Sequence, residues 1–321
     1  MRALAARTDA ELIVALQVDA AKEAPTGVTL VRRPNSFGAR RALAGLRSIG
    51  PADVVHGLDV DLPLRPGAPT VTTVHDLAVF DVPWTYSRWR ATGERLVVRQ
   101  AIRRADAIIA VSAFTAERVR ARFGRESIVI PEAASPDLAP PAPSAIDEVR
   151  RRYRLPDRFV LHVGTIEPRK GLAMLGAACS HLDVPLVLAG AVSWPSAVPA
   201  NAMLLGYVPR EDVAPLYGAS TVVASPSVYE GFSLPPLEAM ACGAAVVATR
   251  VASLPEVLGD GAELVPAGDP DALKAALGTL LSDEARREAL CAAGLVRARQ
   301  YSWAATADAT AEVYRSLGAP L

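Results

Sequence analysis

The sequence predicts an α/β protein of two domains, each built on a doubly wound parallel sheet. Three observations carry that prediction. Short apolar runs rich in Val, Ile and Leu recur between helix-length segments, and they are continuous rather than alternating, as strands buried on both faces are. The chain has 321 residues, about twice the length of a common domain. A proline-rich stretch at 131–143, PEAASPDLAPPAP, breaks the pattern once, near the middle. Residues 1–143 are therefore read as an N-terminal domain and 144–321 as a C-terminal one.

In the first half, residues 1–7 read as the end of a helix and 11–18 as the first strand. A short strand at 28–31 precedes an arginine-rich amphipathic helix at 39–48. Strands follow at 53–56 and 70–74, the second running into His75-Asp76-Leu77. A loop carrying Pro83, Trp84 and Trp89 grades into a helix that ends at Arg104. The run 107–111 is a strand, Ser112 caps a helix to Phe123, and 127–130 closes the half.

The second half restarts with a strand at 158–164, then the loop TIEPRKG and a helix over 172–181. Strands at 184–189 and 203–206 and a helix at 210–217 lead to the most informative stretch, 221–249. There a Val-rich strand breaks at Ser225-Pro226-Ser227. A helix starts behind Ser233 with Pro235 and Pro236 in its first turn, ends at Gly243, and gives way to a strand over 244–248. A short helix at 254–258, a strand at 263–265 and three closing helices complete the pattern. The first of these begins at Asp269; the last, from about 303 to 317, is read as packing back on the N-terminal domain.

Thirty-four basic and 34 acidic residues cancel, so nothing points to nucleic acid. Three scattered cysteines, Cys179, Cys242 and Cys291, form neither a metal-ligand spacing nor an even disulfide framework, which favours a reducing, cytoplasmic setting. No apolar run is long enough to span a membrane, and the opening residues do not read as a signal peptide. The arginine-rich segments 32–47 and 88–104 suit either a peripheral contact with an anionic membrane face or plain solvated helix surfaces.

Candidate chemistry gathers where predicted strands end. Glu230 lies in the loop after 221–225 and Glu238 near the start of the next helix, with the Gly231 and Phe232 amides between them. Carboxyl ends of parallel strands beside helix N-termini are where such sheets bind anions. A loop carboxylate there accepts hydrogen bonds from sugar hydroxyls, and a first-turn one bridges a ribose diol. Equally, Glu238 complements the helix dipole and Glu230 is a solvated loop charge. Arg169 and Lys170 place a guanidinium fork beside an ammonium, suited to a diphosphate whose charge grows as it leaves a sugar, or serve as ordinary surface cations at a turn. His75, at a strand end, suits a sugar hydroxyl or a turn. His162 lies within a strand and reads as structural, and Ser112 could offer its hydroxyl and the free amides behind it to a ligand, though capping alone explains it. Gly206-Tyr207-Val208 could hold a nucleobase by backbone contacts. Neither G-x-x-x-x-G-K-[ST] nor G-x-G-x-x-G is present, which removes the best support for phosphate-loop and ordinary dinucleotide readings.

Taken together, HVGTIEPRKGL at 162–172, GYV at 206–208, the two glutamates of YEGFSLPPLEAMACG at 229–243 and VHDL at 74–77 resemble glycosyltransferase family 4, in that family's order. The resemblance implies the GT-B fold: two Rossmann-like domains facing each other across a cleft, with no metal or other cofactor. It implies retaining transfer of a hexose from a nucleotide-diphosphate sugar to a glycan or lipid-linked acceptor. Carried over by position, Arg169 and Lys170 hold the diphosphate, Glu238 the ribose and Glu230 the donor sugar. Gly231, Phe232, Ser233 and Leu234 lie along the donor, with Gly206, Tyr207 and Val208 beside its base. His75 contacts the transferred sugar from the acceptor half. The wording of VGTIEPRKG is most similar to mannosyl- and rhamnosyl-transferring members that build bacterial polysaccharides, which makes GDP-mannose the first donor expected.

The chain departs from that family at its opening, where the first strand and glycine-rich loop of the N-terminal domain are missing. The departure predicts a native product that starts upstream. It also leaves a second class of function open: a nucleotide-sugar-binding protein without turnover. Other GT-B enzymes fit less well, since the carboxylate and histidine set of an epimerase is missing and the chain is far too short for a phosphorylase.

Overall fold

A computed structural model describes residues 2–6, 11–17, 26–33, 50–60, 62–63 and 66–321 of the chain. The helix expected at 39–48 lies outside them, as do residues 7 and 18 at the ends of the first helix and strand. The chain divides into two compact units, one of Met1–Glu132 with Trp303–Leu321 and one of Ala133–Ser302.

The first unit runs α1 (Arg2–Ala5), β1 (Ile13–Gln17), β2 (Thr29–Arg33), β3 (Val55–Gly57), β4 (Thr70–Val74), α2 (Ala78–Asp81), α3 (Arg88–Arg104), β5 (Ala107–Ala110), α4 (Ala113–Phe123) and β6 (Ile128–Val129). β3, β4, β5 and β6 lie in that order in one parallel sheet, and β1 pairs with β2 in a separate parallel ribbon. All five residues of β4 are buried, which is why it reads as an unbroken β-branched run. Ala91, Val98, Ala101 and Ile102 form the inner face of α3 and meet Val74, Leu77 and Ile108 in the core. Ser112 caps α4 by accepting from the Thr115 amide, and Gly124 ends it at φ 63°. The chain's last helix, Trp303–Ser316, sets Val313 against Val71, Ile109 and Ile130. Tyr314 meets His56 there, Nδ1 to Oη at 2.6 Å, while His56 Nε2 lies 2.8 Å from Thr73 Oγ1. The sequence pattern of this half does not suggest α2 or the 3-10 turn Pro83–Thr85 behind it.

The second unit opens with α5 (Pro143–Tyr153) and continues β7 (Val160–Val163), α6 (Leu172–His181), β8 (Leu186–Ala189), β9 (Ala202–Gly206), α7 (Arg210–Ala219), β10 (Val222–Ser225), α8 (Leu234–Ala241), β11 (Val246–Thr249), α9 (Leu254–Leu258), β12 (Glu263–Val265), α10 (Pro270–Ser282) and α11 (Glu284–Ala298). The pattern does not predict α5 either. The prolines before it point to an irregular segment, although Pro143 sits where proline favours a helix start. The residues leading into α5 are themselves packed on this unit. Leu138 is buried, Pro141 lies so close to Gly218 that a Cβ there would overlap its ring, and Pro140 lies within van der Waals reach of Gly243.

The six strands are parallel in the order β12-β11-β10-β7-β8-β9. The chain winds outward from β7 through β8 to β9, returns to lay β10 on the other side of β7, and winds outward again. β7 and β10 therefore flank the point where the winding reverses, with Val222 opposite Val160 and Val223 opposite Leu161. Their following loops, 164–171 and 226–233, leave the sheet at its carboxyl edge side by side, the place where such folds bind ligands.

Candidate functional site

Close backbone approach zips the two loops together. The Val228 amide donates to the Arg169 carbonyl at 2.9 Å. Gly171 adopts φ 66°, and a Cβ there would overlap the Pro226 carbonyl oxygen, so only glycine fits both the turn and the contact. The 3-10 turn Pro168–Lys170 ends at this glycine and turns the Arg169 and Lys170 side chains toward the neighbouring loop.

Glu230 sits between them, 4 % exposed. Its Oε1 accepts from Lys170 Nζ at 2.7 Å and from Ser227 Oγ at 2.6 Å, and its Oε2 from Arg169 Nη1 at 3.0 Å. Its backbone carbonyl accepts from Ser253 Oγ at 2.9 Å. Burial alone would raise the Glu230 pKa, but Lys170 and then Arg169 outweigh it and hold the carboxyl below its ordinary range. Glu230 is therefore not a solvated loop charge, and Lys170, itself buried, is not a surface cation.

Arg169 is engaged further. Its Nε and Nη2 donate to Glu167 Oε1 at 3.1 and 2.8 Å, and Nη1 also reaches the Tyr229 carbonyl at 3.1 Å. Glu167, Ser227 and the Tyr229 carbonyl do not stand out in the sequence. The signal for Glu167 is local, a carboxylate two residues before a guanidinium across a turn-forming proline. That for Ser227 lies in its position three residues before Glu230.

Beyond Glu230 the loop feeds α8. Phe232 is buried with its ring edge-on to Tyr301, 5.6 Å between centroids, so its side chain anchors the loop. Ser233 takes φ 75°, ψ 83°, a left-handed conformation costly for a residue with a Cβ. Its hydroxyl makes no cap, and Oγ is buried without a partner among the described residues. Leu234 begins α8. Glu238 falls in that helix's second turn rather than its first, 3.5 Å from Arg210 Nη1, and Arg210 is held bidentately by Asp137 at 3.0 and 2.8 Å. Burial raises the Glu238 pKa, offset in part by Arg210.

Gly206 ends β9 at φ 70°, and its carbonyl accepts from the Gly190 amide at 2.7 Å. Tyr207 beyond it is 81 % exposed and Val208 half-buried. His162 is fully enclosed in β7. Its Nδ1 donates to the Ala224 carbonyl at 2.9 Å, which leaves Nε2 a lone pair with no partner among the described residues, and burial lowers the ring's pKa to about 4.

In the first unit, His75 Nε2 lies 2.8 Å from the Leu58 carbonyl and Nδ1 3.3 Å from Glu132 Oε1. Both nitrogens face acceptors, so the ring is a doubly tethered imidazolium. Burial works against the charge, but Glu132 and the Leu58 carbonyl outweigh it and raise the pKa to about 9. Among the described residues, no three His, Cys, Asp or Glu side chains are grouped to hold a metal ion.

Two family models match this chain, glycosyltransferase family 4 over residues 2–138 and glycosyl transferases group 1 over 157–283. The O-antigen chain mannosyltransferase B of Escherichia coli is 34 % identical over 284 residues, covering 82 % of this chain and 74 % of that protein. The MMP α-(1→4)-mannosyltransferase of Mycolicibacterium hassiacum is 32 % identical over 317 residues, covering 88 % and 74 %. Among solved structures, sucrose-phosphate synthase from Thermosynechococcus elongatus superposes with a TM-score of 0.68 at 25 % identity, covering 87 % of this chain and 75 % of that one. With the reversing parallel sheet, the zipped loops and the paired glutamates already in place, these matches show that the chain belongs to glycosyltransferase family 4 and has the GT-B fold.

Proposed function

We propose that the chain transfers a hexose, mannose first, with retention of configuration, from a nucleotide-diphosphate sugar to a glycan or lipid-linked acceptor in envelope polysaccharide synthesis. The observation that carries this is the buried Lys170–Glu230 pair at the winding reversal of the second sheet. A diphosphate brought to that edge meets the Lys170 ammonium and the N-terminal end of α8, both of which stabilise charge that grows as the sugar–phosphate bond breaks. Glu230, the carboxylate that Lys170 holds, is assigned to the donor sugar, with the backbone of Gly231, Phe232, Ser233 and Leu234 along the phosphates. Glu238 is assigned to the ribose and Gly206, Tyr207 and Val208 to the base. The first unit is assigned the acceptor, with His75 as its contact to the transferred sugar. Mannose rests on the names of the Escherichia coli and Mycolicibacterium relatives.

The test is turnover. Incubated with GDP-mannose and lipid-linked glycan extracts, the protein is expected to release GDP and lengthen the glycan. Donor binding without release under every acceptor tried would leave it a nucleotide-sugar-binding protein.

A peripheral contact with an anionic membrane belongs to the same reading. No helix among the described residues is long and apolar enough to cross a bilayer. Yet Trp89 and Trp84 are 91 % and 70 % exposed, and the outer face of α3 continues through Leu96 to Arg99 and Arg103. Indole rings beside arginines suit an anionic interface. Co-sedimentation with phosphatidylglycerol vesicles but not phosphatidylcholine vesicles, lost in Trp84→Ala/Trp89→Ala, is expected; equal sedimentation of wild type and variant would remove the contact.

A further inference from the structure

The two adjacent cations of the donor loop have different surroundings, and the difference separates their roles. Among the described residues, Lys170 has one acceptor, Glu230 Oε1 at 2.7 Å, for three N–H donors on a flexible stem. Arg169 is a rigid fork whose three nitrogens are all occupied: Nε and Nη2 by Glu167, Nη1 by Glu230 Oε2 and the Tyr229 carbonyl. A phosphate reaching this guanidinium must displace a carboxylate or a loop carbonyl, whereas one reaching Lys170 can share the ammonium with Glu230.

Geometry fixes the fork from both sides. Glu167 stands directly before the 3-10 turn in an extended conformation, φ −151°, ψ 162°, which returns its carboxylate alongside the arginine two residues on. On the far side, the Val228 amide ties the neighbouring loop to the Arg169 carbonyl, so backbone and side chain of one residue both brace the loop that carries Glu230. The carboxylate of Glu230 is thus gripped on one oxygen by Arg169 and on the other by Lys170 and Ser227. Removing the Arg169 grip leaves Oε2 of a buried carboxylate without that partner and the group held through Oε1 alone, by Lys170 and Ser227.

We infer that Arg169, backed by Glu167, is a positioning residue that aims and orders the Glu230 carboxylate, and that Lys170, of the two, is the cation that engages the donor diphosphate. The inference rests on the donor site proposed above only for the word "donor"; the brace itself is a property of the folded chain.

The experiment therefore has a ligand arm and a ligand-free arm, using Arg169→Gln, Arg169→Lys, Glu167→Gln and Lys170→Gln. In the ligand arm, calorimetry with GDP and UDP is expected to give Arg169 and Glu167 variants a Kd within about twofold of wild type and Lys170→Gln a loss of about tenfold or more. With the full reaction, Arg169→Lys and Glu167→Gln are expected to lower kcat with little change in donor KM. Arg169→Lys keeps the charge but offers one nitrogen in place of the three fixed ones that hold Glu167, Glu230 and the Tyr229 carbonyl, so no rescue is expected. In the ligand-free arm, melting of Arg169→Gln, Glu230→Gln and the double variant is expected to show coupling: the Arg169 change costs much less once Glu230 is neutral. Weakening of nucleotide binding by Arg169→Gln to the extent of Lys170→Gln would overturn the inference, as would additive melting. If wild type binds neither nucleotide, dTDP and ADP are titrated next; binding of none of the four fails the donor assignment on its own, and the brace stands or falls on the melting cycle. If Arg169→Gln does not fold, Glu167→Gln carries the same comparisons from the less buried end.

Discussion

Lys170 Nζ and Glu230 Oε1 lie 2.7 Å apart across 60 residues of chain, both side chains out of solvent. A buried pair of this kind is a poor source of net stability but is costly to break on one side. Glu230→Gln is expected to destabilise the fold by about 3 kcal/mol at neutral pH, because two cations lose their common carboxylate. The folded pKa of Glu230 lies below its ordinary value, so its ionisation stabilises the fold above about pH 4.3 and that contribution fades as pH falls through the folded value. The gap between melting curves of wild type and Glu230→Gln should accordingly begin to narrow below about pH 4.3; a constant gap down to pH 3 would contradict the pairing.

Gly171 tests whether the loops must touch. Gly171→Ala adds a Cβ against the Pro226 carbonyl at a positive φ and is expected to cost about 2–3 kcal/mol, read by denaturant unfolding. Gly206, with φ 70° but nothing within 4 Å of where a Cβ would sit, is the control: Gly206→Ala carries only the backbone penalty, about 1 kcal/mol.

Ser233 separates strain from chemistry. Glycine there relieves the left-handed conformation, so Ser233→Gly is expected to hold or raise stability by about 0.5–1 kcal/mol while slowing transfer through the lost hydroxyl. Ser233→Ala keeps the strain and loses the same hydroxyl. Equal activity in all three proteins would mean the orphaned Oγ has no part in donor contact.

These residues also show what a sequence can and cannot disclose. α6 and β4 are legible to the residue because a glycine or a run of β-branched side chains bounds them, and the strand–loop–helix order places the two loops at the carboxyl edge of their sheet. α5 is hidden by the prolines in front of it, since the same residue type marks both a linker and a helix start. That Glu230 is a buried ion-pair partner rather than a solvated charge depends on β10 returning to β7, a long-range fact that no local pattern encodes. The tethering of His75 by Glu132 is invisible in the sequence for the same reason.

His75 and His56 should pull stability in opposite directions with pH. His75 is raised to about 9, so its contribution is complete below about pH 6.5 and is lost as pH climbs through 9. The ring is 44 % exposed, and solvent screening keeps that contribution small. His56, lowered to about 4 chiefly by burial, opposes folding as pH falls from 6.5 toward 4. Melting temperature should drift down from pH 7 to 9 in wild type and stay flat in His75→Gln; parallel curves would show that His75 is not held as an imidazolium.

The central claim, a donor site built on loops 164–171 and 226–233 and on α8, is tested most directly by one melting panel. GDP-, UDP-, dTDP- and ADP-sugars would be applied to wild type, Lys170→Ala and Glu238→Ala. One nucleotide series is expected to stabilise wild type, by about 2.7 kcal/mol at 100 times its dissociation constant, and neither variant. Stabilisation that persists in both variants, or none from any nucleotide-sugar, would contradict it.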